Sequence, residues 1–160
     1  MGTIRIVSGS GHGPTPTAAY DAALAAAGVH NYNLVTLSSV VPGDATIERV
    51  GTAPDLGPAG QGLYVVQAAE TAEEGEAAAA IGWTREPDGP GIFYEVSGSN
   101  KQTVREDVRA GLAAGRDLRD WDFGEAQVAL ETASADGADE AYATAVVLAV
   151  YGRSHSLIES

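Results

Sequence analysis

The sequence predicts an α+β fold in which helices cover one side of β-sheets. Three observations support this class: strand-like stretches occur in blocks, few stretches have helical character, and no internal repeat is present. The predicted order is β-α-β-β-β-α-β-β at its simplest. With 160 residues, of which 44% are apolar, the chain can bury the core of one domain, and we expect residues 1–160 to form a single domain.

The first part of the chain predicts a strand, a helix and a second strand. Residues 3–8 alternate between apolar and polar side chains, as a strand with one buried face does. After a glycine-rich segment, an alanine-rich helix is expected over 17–27, preceded by a capping threonine and ended by Gly28. The next strand spans 31–41 and ends at Pro42.

The second part predicts several strands and one long helix. The alanine content of 71–81 favours a helix there, although Gly75 weakens that interpretation. Apolar residues at helical spacing predict a helix of about five turns, capped by Ser99 or Asn100. The strands predicted in this part span 46–50, 63–68, 91–96, 126–133 and 142–151.

The charge of the chain excludes one class of partner. Twenty-two acidic residues against nine basic ones give a formal net charge of −13, which repels polyanions such as nucleic acid. The acid excess, with Lys101 as the single lysine, resembles proteins of salt-loving archaea, where high salt screens the self-repulsion. The alternative is a mildly acidic cytosolic protein.

Composition also limits the location of the protein and its chemistry. The N-terminal segment lacks the basic start and long apolar run of a signal peptide. No apolar run reaches the roughly 18 residues of a membrane span, so we expect a cytoplasmic protein without a membrane partner. The absence of cysteine excludes disulfides and thiolate chemistry, and because the three histidines are isolated we expect no metal site.

The segment with Gly9, Gly11 and Gly13 raises the alternative of a phosphate-binding loop, because it lies between a predicted strand and a predicted helix. Its spacing differs from the dinucleotide-binding pattern, and Pro14 and Pro16 remove two amide donors. We therefore expect a flexible turn there.

Two adjacent serines, Ser38 and Ser39, interrupt an otherwise apolar strand. One interpretation is that their hydroxyls bond to a neighbouring strand. The other is self-cleavage: a serine hydroxyl attacks the preceding carbonyl, the peptide becomes an ester, and elimination followed by hydrolysis leaves a pyruvoyl group. That reaction requires a strained backbone and an oxyanion donor, for which Asn33 is a candidate.

Two acidic residues are further candidates. Glu95 interrupts the strand 91–96, and burial there would favour its protonated form, which can donate a proton at neutral pH. Strand alternation alone is the other interpretation of Glu95. Asp21 lies in the alanine-rich helix, where a solvated residue is the simpler interpretation.

The sequence resembles the pyruvoyl-dependent arginine decarboxylases of archaea and some bacteria. The resemblance covers most of the chain. Its most specific element is NLVTLSSVVP at 33–42, since few families place a serine pair before such a proline. The helix with an aromatic-Asp pair, GIFYEVSG at 91–98 and Asp120-Trp121 also fit the pattern of that family.

The resemblance implies an αββα-type sandwich of mainly antiparallel sheets flanked by helices. It also implies cleavage between Ser38 and Ser39 into a β chain, 1–38, and an α chain, 39–160, whose first residue becomes the pyruvoyl cofactor. Members of the family form homotrimers of such pairs, with active sites between neighbouring subunits.

The implied reaction is decarboxylation of L-arginine to agmatine and carbon dioxide, in the service of polyamine synthesis or transfer-RNA modification. By this resemblance Asp21 binds the guanidinium of arginine, since a carboxylate accepts two parallel hydrogen bonds from it. Glu95 returns a proton to the α-carbon, so Glu95→Gln is expected to lower kcat and to leave self-cleavage largely intact. Two alternatives remain: a pyruvoyl decarboxylase of another amino acid, and an unprocessed, non-enzymatic α+β module that binds a small molecule.

Overall fold

The computed structural model describes residues 2–137, 139 and 141–158, which form nine strands and two helices. The strands are β1 (Thr3–Gly13), β2 (Asn33–Thr36), β3 (Val40–Val41), β4 (Thr46–Gly51), β5 (Gly62–Ala72), β6 (Glu76–Arg85), β7 (Gly91–Gly98), β8 (Gln127–Ser134) and β9 (Tyr142–His155). The helices are α1 (Pro16–Ala27) and α2 (Lys101–Asp117). Neither helix is long and apolar enough to cross a membrane within this described part of the chain.

The strands form two sheets that pack face to face. One sheet has five strands in the order β2-β5-β9-β1-β4, and the other has four in the order β3-β7-β6-β8. The pairs β1–β4 and β2–β5 are parallel and all other pairs are antiparallel. Helix α1 covers the outer face of the first sheet and α2 covers the outer face of the second. The predicted αββα sandwich of mainly antiparallel sheets is confirmed.

Three apolar clusters correspond to the three contacts between these layers. The cluster between the sheets joins side chains of both, such as Ile6 and Val147 with Ile81 and Phe93. The residues that alternate with these along the strands face the helices. Val7 and Leu148 belong to the cluster under α1, and Ile92 belongs to the cluster under α2. The central strands β6 and β9 are therefore buried on both faces over most of their length, as their continuous apolar sequences require.

The glycine-rich segment belongs to β1 and is not a turn. A Cβ atom added to Gly9 would overlap the carbonyl oxygen of Ala23, and one added to Gly11 would overlap the Ala23 nitrogen. The glycines thus let the backbone of α1 approach the strand closely. Both the flexible turn and the phosphate-loop alternative are wrong, because the segment continues the pairing with β9 as far as Gly13.

The alanine run of 71–81 also differs from expectation, since it forms the end of β5 and the first half of β6. Ala77 and Ala79 face the other sheet, while Ala78 and Ala80 face α2. All four are fully buried. Small side chains on both faces let two layers approach one strand, and this packing overrides the helix propensity of alanine.

The predicted strand 31–41 is divided between the two sheets. Its first part, β2, pairs with β5, and its last part, β3, pairs with β7. The backbone nitrogen of Leu37 still donates to Val65 of β5, at 2.8 Å. The chain therefore crosses from one sheet to the other at Ser38 and Ser39, which explains why two hydroxyls interrupt the apolar run.

Candidate active site

The backbone at this sheet crossing is strained at Ser39, whose φ angle is +70°. Such a left-handed conformation costs a residue other than glycine about 1–3 kcal/mol. It is fixed from both sides, because Leu37 is bonded to the five-stranded sheet and the Ser39 carbonyl accepts a hydrogen bond from the Phe93 nitrogen at 2.9 Å. The fold itself therefore holds the peptide before Ser39 in an unfavourable geometry.

The Ser39 hydroxyl donates a hydrogen bond to Oε2 of Glu95 at 2.9 Å. Glu95 follows Phe93 on the same face of β7, at the edge of the space between the sheets, and its side chain is exposed within the single chain. The alternation of Phe93 and Glu95 on one face is therefore present, and the burial expected for Glu95 is absent within this chain. A carboxylate at hydrogen-bond distance can remove the hydroxyl proton.

Tyr151 is a third member of this group, and the sequence reasoning missed it. Its hydroxyl donates to the Val40 carbonyl at 2.6 Å, and its ring packs edge-on against Phe93 with 6.1 Å between centroids. Burial raises the pKa of Tyr151, and the charge of Glu95 raises it further. Tyr151 therefore remains a hydrogen-bond donor. The only sequence signal was its place at the end of a predicted buried strand.

A cavity of about 270 Å³ opens beside the two serines, on the α2 side of β7. Two glycines of α2 shape it: a Cβ atom on Gly111 would overlap the Tyr94 ring, and one on Gly115 would lie 2.6 Å from Cδ1 of Ile92. A larger cavity, about 560 Å³, lies at the β3–β4 loop and contains neither serine. The smaller cavity is the relevant one, because it adjoins the strained peptide.

One cation lies at this cavity. Arg119 follows α2, lines the cavity together with the serines, and is partly buried. Its Nη1 donates to the Gly115 carbonyl at 2.8 Å, and its guanidinium carbon lies 5.5 Å from the centre of the Trp121 ring. These contacts hold a positive charge beside a mostly apolar wall.

The other predicted site residues do not reach the serines within one chain. Asp21 is exposed on α1, which covers the outer face of the five-stranded sheet. The Asn33 side chain donates to the Gly60 carbonyl at 2.8 Å. Ser38 lies five residues further along, a distance of about 16 Å for an extended chain. In the parts of the chain that are described, no three or more His, Cys, Asp or Glu side chains are grouped to hold a metal ion.

Comparison with known proteins decides the family. The family model described as pyruvoyl-dependent arginine decarboxylase matches residues 3–156. The chain belongs to this family. Its relatives of that name include a protein from Halobacterium salinarum that is 50% identical over an alignment of 161 positions, covering 99% of each chain.

More distant pyruvoyl-dependent arginine decarboxylases are found in other archaea. A protein from Thermococcus kodakarensis is 38% identical over 129 residues, which cover 78% of this chain and 80% of the relative. One from Methanocaldococcus jannaschii is 30% identical over 124 residues, covering 76% and 74%. Membership confirms the resemblance, the enzyme class and the pyruvoyl cofactor of the family, and the Halobacterium relative agrees with the acidic, halophile-like composition.

Ser39 fits as the source of the pyruvoyl group. It has the hydroxyl that self-cleavage requires, a strained φ angle and a carboxylate beside that hydroxyl. The bond between the Phe93 nitrogen and the Ser39 carbonyl does not depend on the peptide before Ser39, so it would hold a pyruvoyl group formed at this position.

Proposed function

We propose that the protein cleaves itself between Ser38 and Ser39 and then decarboxylates L-arginine to agmatine and carbon dioxide. The observation that carries this proposal is the strained Ser39 backbone combined with the hydrogen bond from its hydroxyl to Glu95. Family membership supports the reaction class.

In the first stage the Ser39 Oγ attacks the carbonyl carbon of Ser38 while Glu95 takes the hydroxyl proton. The C–N bond breaks as Glu95 passes that proton to the nitrogen, which leaves as an amine, and an ester remains. Loss of the Ser39 α-proton then breaks the Cβ–Oγ bond, and Ser38 leaves as a carboxylate. The remaining enamine takes up one water, releases ammonia and leaves the pyruvoyl group.

Strain favours this stage. The unfavourable φ angle of Ser39 is defined by the peptide that is cut, so cleavage releases the cost of about 1–3 kcal/mol. The β3–β7 pairing and the Tyr151 hydroxyl continue to hold Val40 afterwards. The 1–38 chain contributes β1, α1 and β2, whose apolar residues are part of the core, so we expect the two chains to remain together as one domain.

In the second stage the pyruvoyl carbonyl supplies the electron sink for loss of carbon dioxide. Glu95 transfers a proton between the Ser39 hydroxyl and nitrogen during cleavage, and from the same position it can deliver a proton to the substrate α-carbon. The structure thus supports a role for Glu95 in both stages, in contrast to the expectation from sequence that self-cleavage would not depend on it.

Asp21 and Asn33 enter this proposal through neighbouring subunits. Both lie away from the serines of their own chain, so a site completed between subunits of a homotrimer is the arrangement that lets them act. Asp21 then binds the substrate guanidinium through two parallel hydrogen bonds, and Asn33 donates to the oxyanion of the cleavage reaction. We propose that the trimer acts in the cytoplasm on free arginine.

The test is the intact mass of purified protein, followed by an assay for agmatine. We expect two chains, 1–38 and 39–160, with the longer one reacting with a hydrazine reagent at its N-terminus. Protein that keeps its full length and forms no agmatine would overturn the proposal and favour the non-enzymatic module. Faster decarboxylation of another amino acid would overturn only the substrate assignment.

The inter-subunit site is tested separately by complementation. Asp21→Ala and Glu95→Gln each damage a different side of the site, so subunits carrying one or the other are expected to regain activity when dissociated and reassembled together. Reassembly of either variant alone is the control. Failure of the mixed trimers to regain activity would place both side chains in the same half-site.

A further inference from the structure

Self-cleavage creates a charged group beside the Ser38–Ser39 cavity, which Ser38 lines. By the reaction proposed above, on which this inference rests, Ser38 ends as a carboxylate at the terminus of the 1–38 chain. The cavity wall is largely apolar, with Ile92, Tyr94 and the 82%-exposed Leu118 around it. Ser38 is exposed, so its new anion keeps contact with water, but in a chain of net charge −13 the other carboxylates repel it and an adjoining cation offsets that repulsion.

Arg119 is the one cationic residue among the described residues that line this cavity. Its Nη1 donates to the Gly115 carbonyl, and its guanidinium lies beside the Trp121 ring. The remaining nitrogens of a guanidinium present donors in the geometry that a carboxylate accepts. In the uncut chain Ser38 offers only a neutral carbonyl.

We propose that Arg119 is a positioning residue that binds the Ser38 carboxylate once self-cleavage has formed it. The ion pair then exists only in the cleaved protein. It holds the end of the 1–38 chain on the α2 side of β7, away from the face where the Ser39 hydroxyl meets Glu95. The new pyruvoyl group therefore becomes accessible to substrate, and the 1–38 chain stays bound.

Thermal unfolding of four proteins tests this inference. Arg119→Gln is compared with its parent in the cleaved protein and again in the uncleaved Ser39→Ala background, at one salt and one protomer concentration, with cleavage verified by intact mass. We expect Arg119→Gln to lower Tm by about 2–4 °C more in the cleaved form than in the uncleaved form. Arg109→Gln, which removes the same charge from an exposed position of α2, is expected to change both forms equally.

A second measurement does not require a stable Arg119 variant. Protein labelled at the serine carboxyl carbon is titrated by NMR. Two signals are absent from Ser39→Ala, the carbonyl carbon of residue 39 and the Ser38 carboxylate, and the one that titrates belongs to the Ser38 carboxylate. Pairing with Arg119 is expected to hold the pKa of this group below the range of about 3.3–3.7 that is usual for a chain terminus. A value inside that range would overturn the inference.

The outcomes separate this inference from the proposed function. Equal Tm losses in cleaved and uncleaved protein would overturn the role of Arg119 and leave the enzyme assignment intact. A raised KM for arginine without a cleavage-dependent Tm loss would assign Arg119 to the substrate carboxylate instead. Wild-type protein that never cleaves would overturn both, and intact mass detects this directly.

Discussion

Ser39 and Asp88 are the two residues other than glycine that have positive φ angles in the described part of the chain, at +70° and +57°. Asp88 lies in the exposed turn between β6 and β7, where the Gly89 nitrogen donates to the Glu86 carbonyl. Aspartate tolerates the left-handed region in turns, because its short side chain can bond to the nearby backbone. Local turn chemistry therefore explains Asp88.

Ser39 has no such local explanation. It joins a segment bonded to β5 with one bonded to β7, so the relative position of two sheets imposes its conformation. A carboxylate also meets its side chain, through the bond to Glu95. Backbone strain therefore supports chemistry at Ser39, where contacts across the whole fold impose the strain and a reacting group lies beside the strained residue. A similar φ angle in the turn at Asp88 has no such consequence.

The largest effect is expected from the loss of the Ser39 hydroxyl. Ser39→Ala removes the nucleophile, so cleavage should stop and the chain should remain at full length. Intact mass recorded over days after purification measures this. Asp88→Ala, at the other strained position, is the matched variant and should cleave as the wild type does. Cleavage of Ser39→Ala at the same bond would show that another group attacks it.

The next effect concerns the carboxylate beside Ser39. Glu95→Gln preserves shape and hydrogen bonding but cannot accept a proton, so cleavage should slow by a factor of about 10²–10⁴, the usual contribution of a general base. The rate is followed by gel densitometry. Glu48→Gln, on the exposed face of β4, should leave the rate unchanged. If Glu95→Gln cleaves normally but decarboxylates slowly, Glu95 acts only in the second stage.

Residue type and pattern were enough to predict most of the elements and to select the serine pair as a candidate site. Alternation and capping residues identified α1, α2 and the strands flanking them, and the hydroxyls of Ser38 and Ser39 in an apolar run indicated a function. These features depend on local sequence, where side-chain period and capping chemistry act directly.

The remaining features depend on contacts between distant parts of the chain. The sequence of an apolar run does not determine which sheet the run pairs with. Residues 31–41 were therefore predicted as one strand, and the crossing between sheets at Ser39 was not predicted. Tyr151 meets Val40 across 111 positions of sequence. The alanines of β6 follow from burial between two layers, which no propensity scale includes. Strain and proximity at the site are therefore properties of the tertiary fold.

A moderate effect is expected from Tyr151→Phe, which removes the donor to Val40 and should lower the free energy of unfolding by about 1 kcal/mol at neutral pH. Burial raises the pKa of Tyr151 above its usual value of about 10. Its contribution is therefore complete below pH 10 and is lost as the pH rises through the folded-state pKa.

Urea unfolding between pH 8 and 11 measures this dependence. The wild type should lose stability above pH 10, and Tyr151→Phe should lose less. Tyr20, whose pKa is also raised by burial, contributes to the alkaline loss in both proteins and so cancels in the comparison. An identical pH profile for the two proteins would mean that the Tyr151 hydroxyl is not buried in solution.

The smallest effect is expected at Asp88, and it completes the comparison with Ser39. Asparagine tolerates the left-handed region as aspartate does, so Asp88→Asn should change the free energy of unfolding by less than about 0.5 kcal/mol and leave cleavage unchanged. Ser39→Asn makes the same kind of replacement at the sheet crossing. It should fit the backbone equally well and yet abolish cleavage, because the hydroxyl is gone. Unfolding in urea therefore measures the tolerance of the positive φ angle, which the two positions share. Intact mass measures cleavage, which depends on Ser39 alone. A stability loss at Asp88→Asn as large as that of Tyr151→Phe would mean that the turn, too, is held by contacts beyond its own residues.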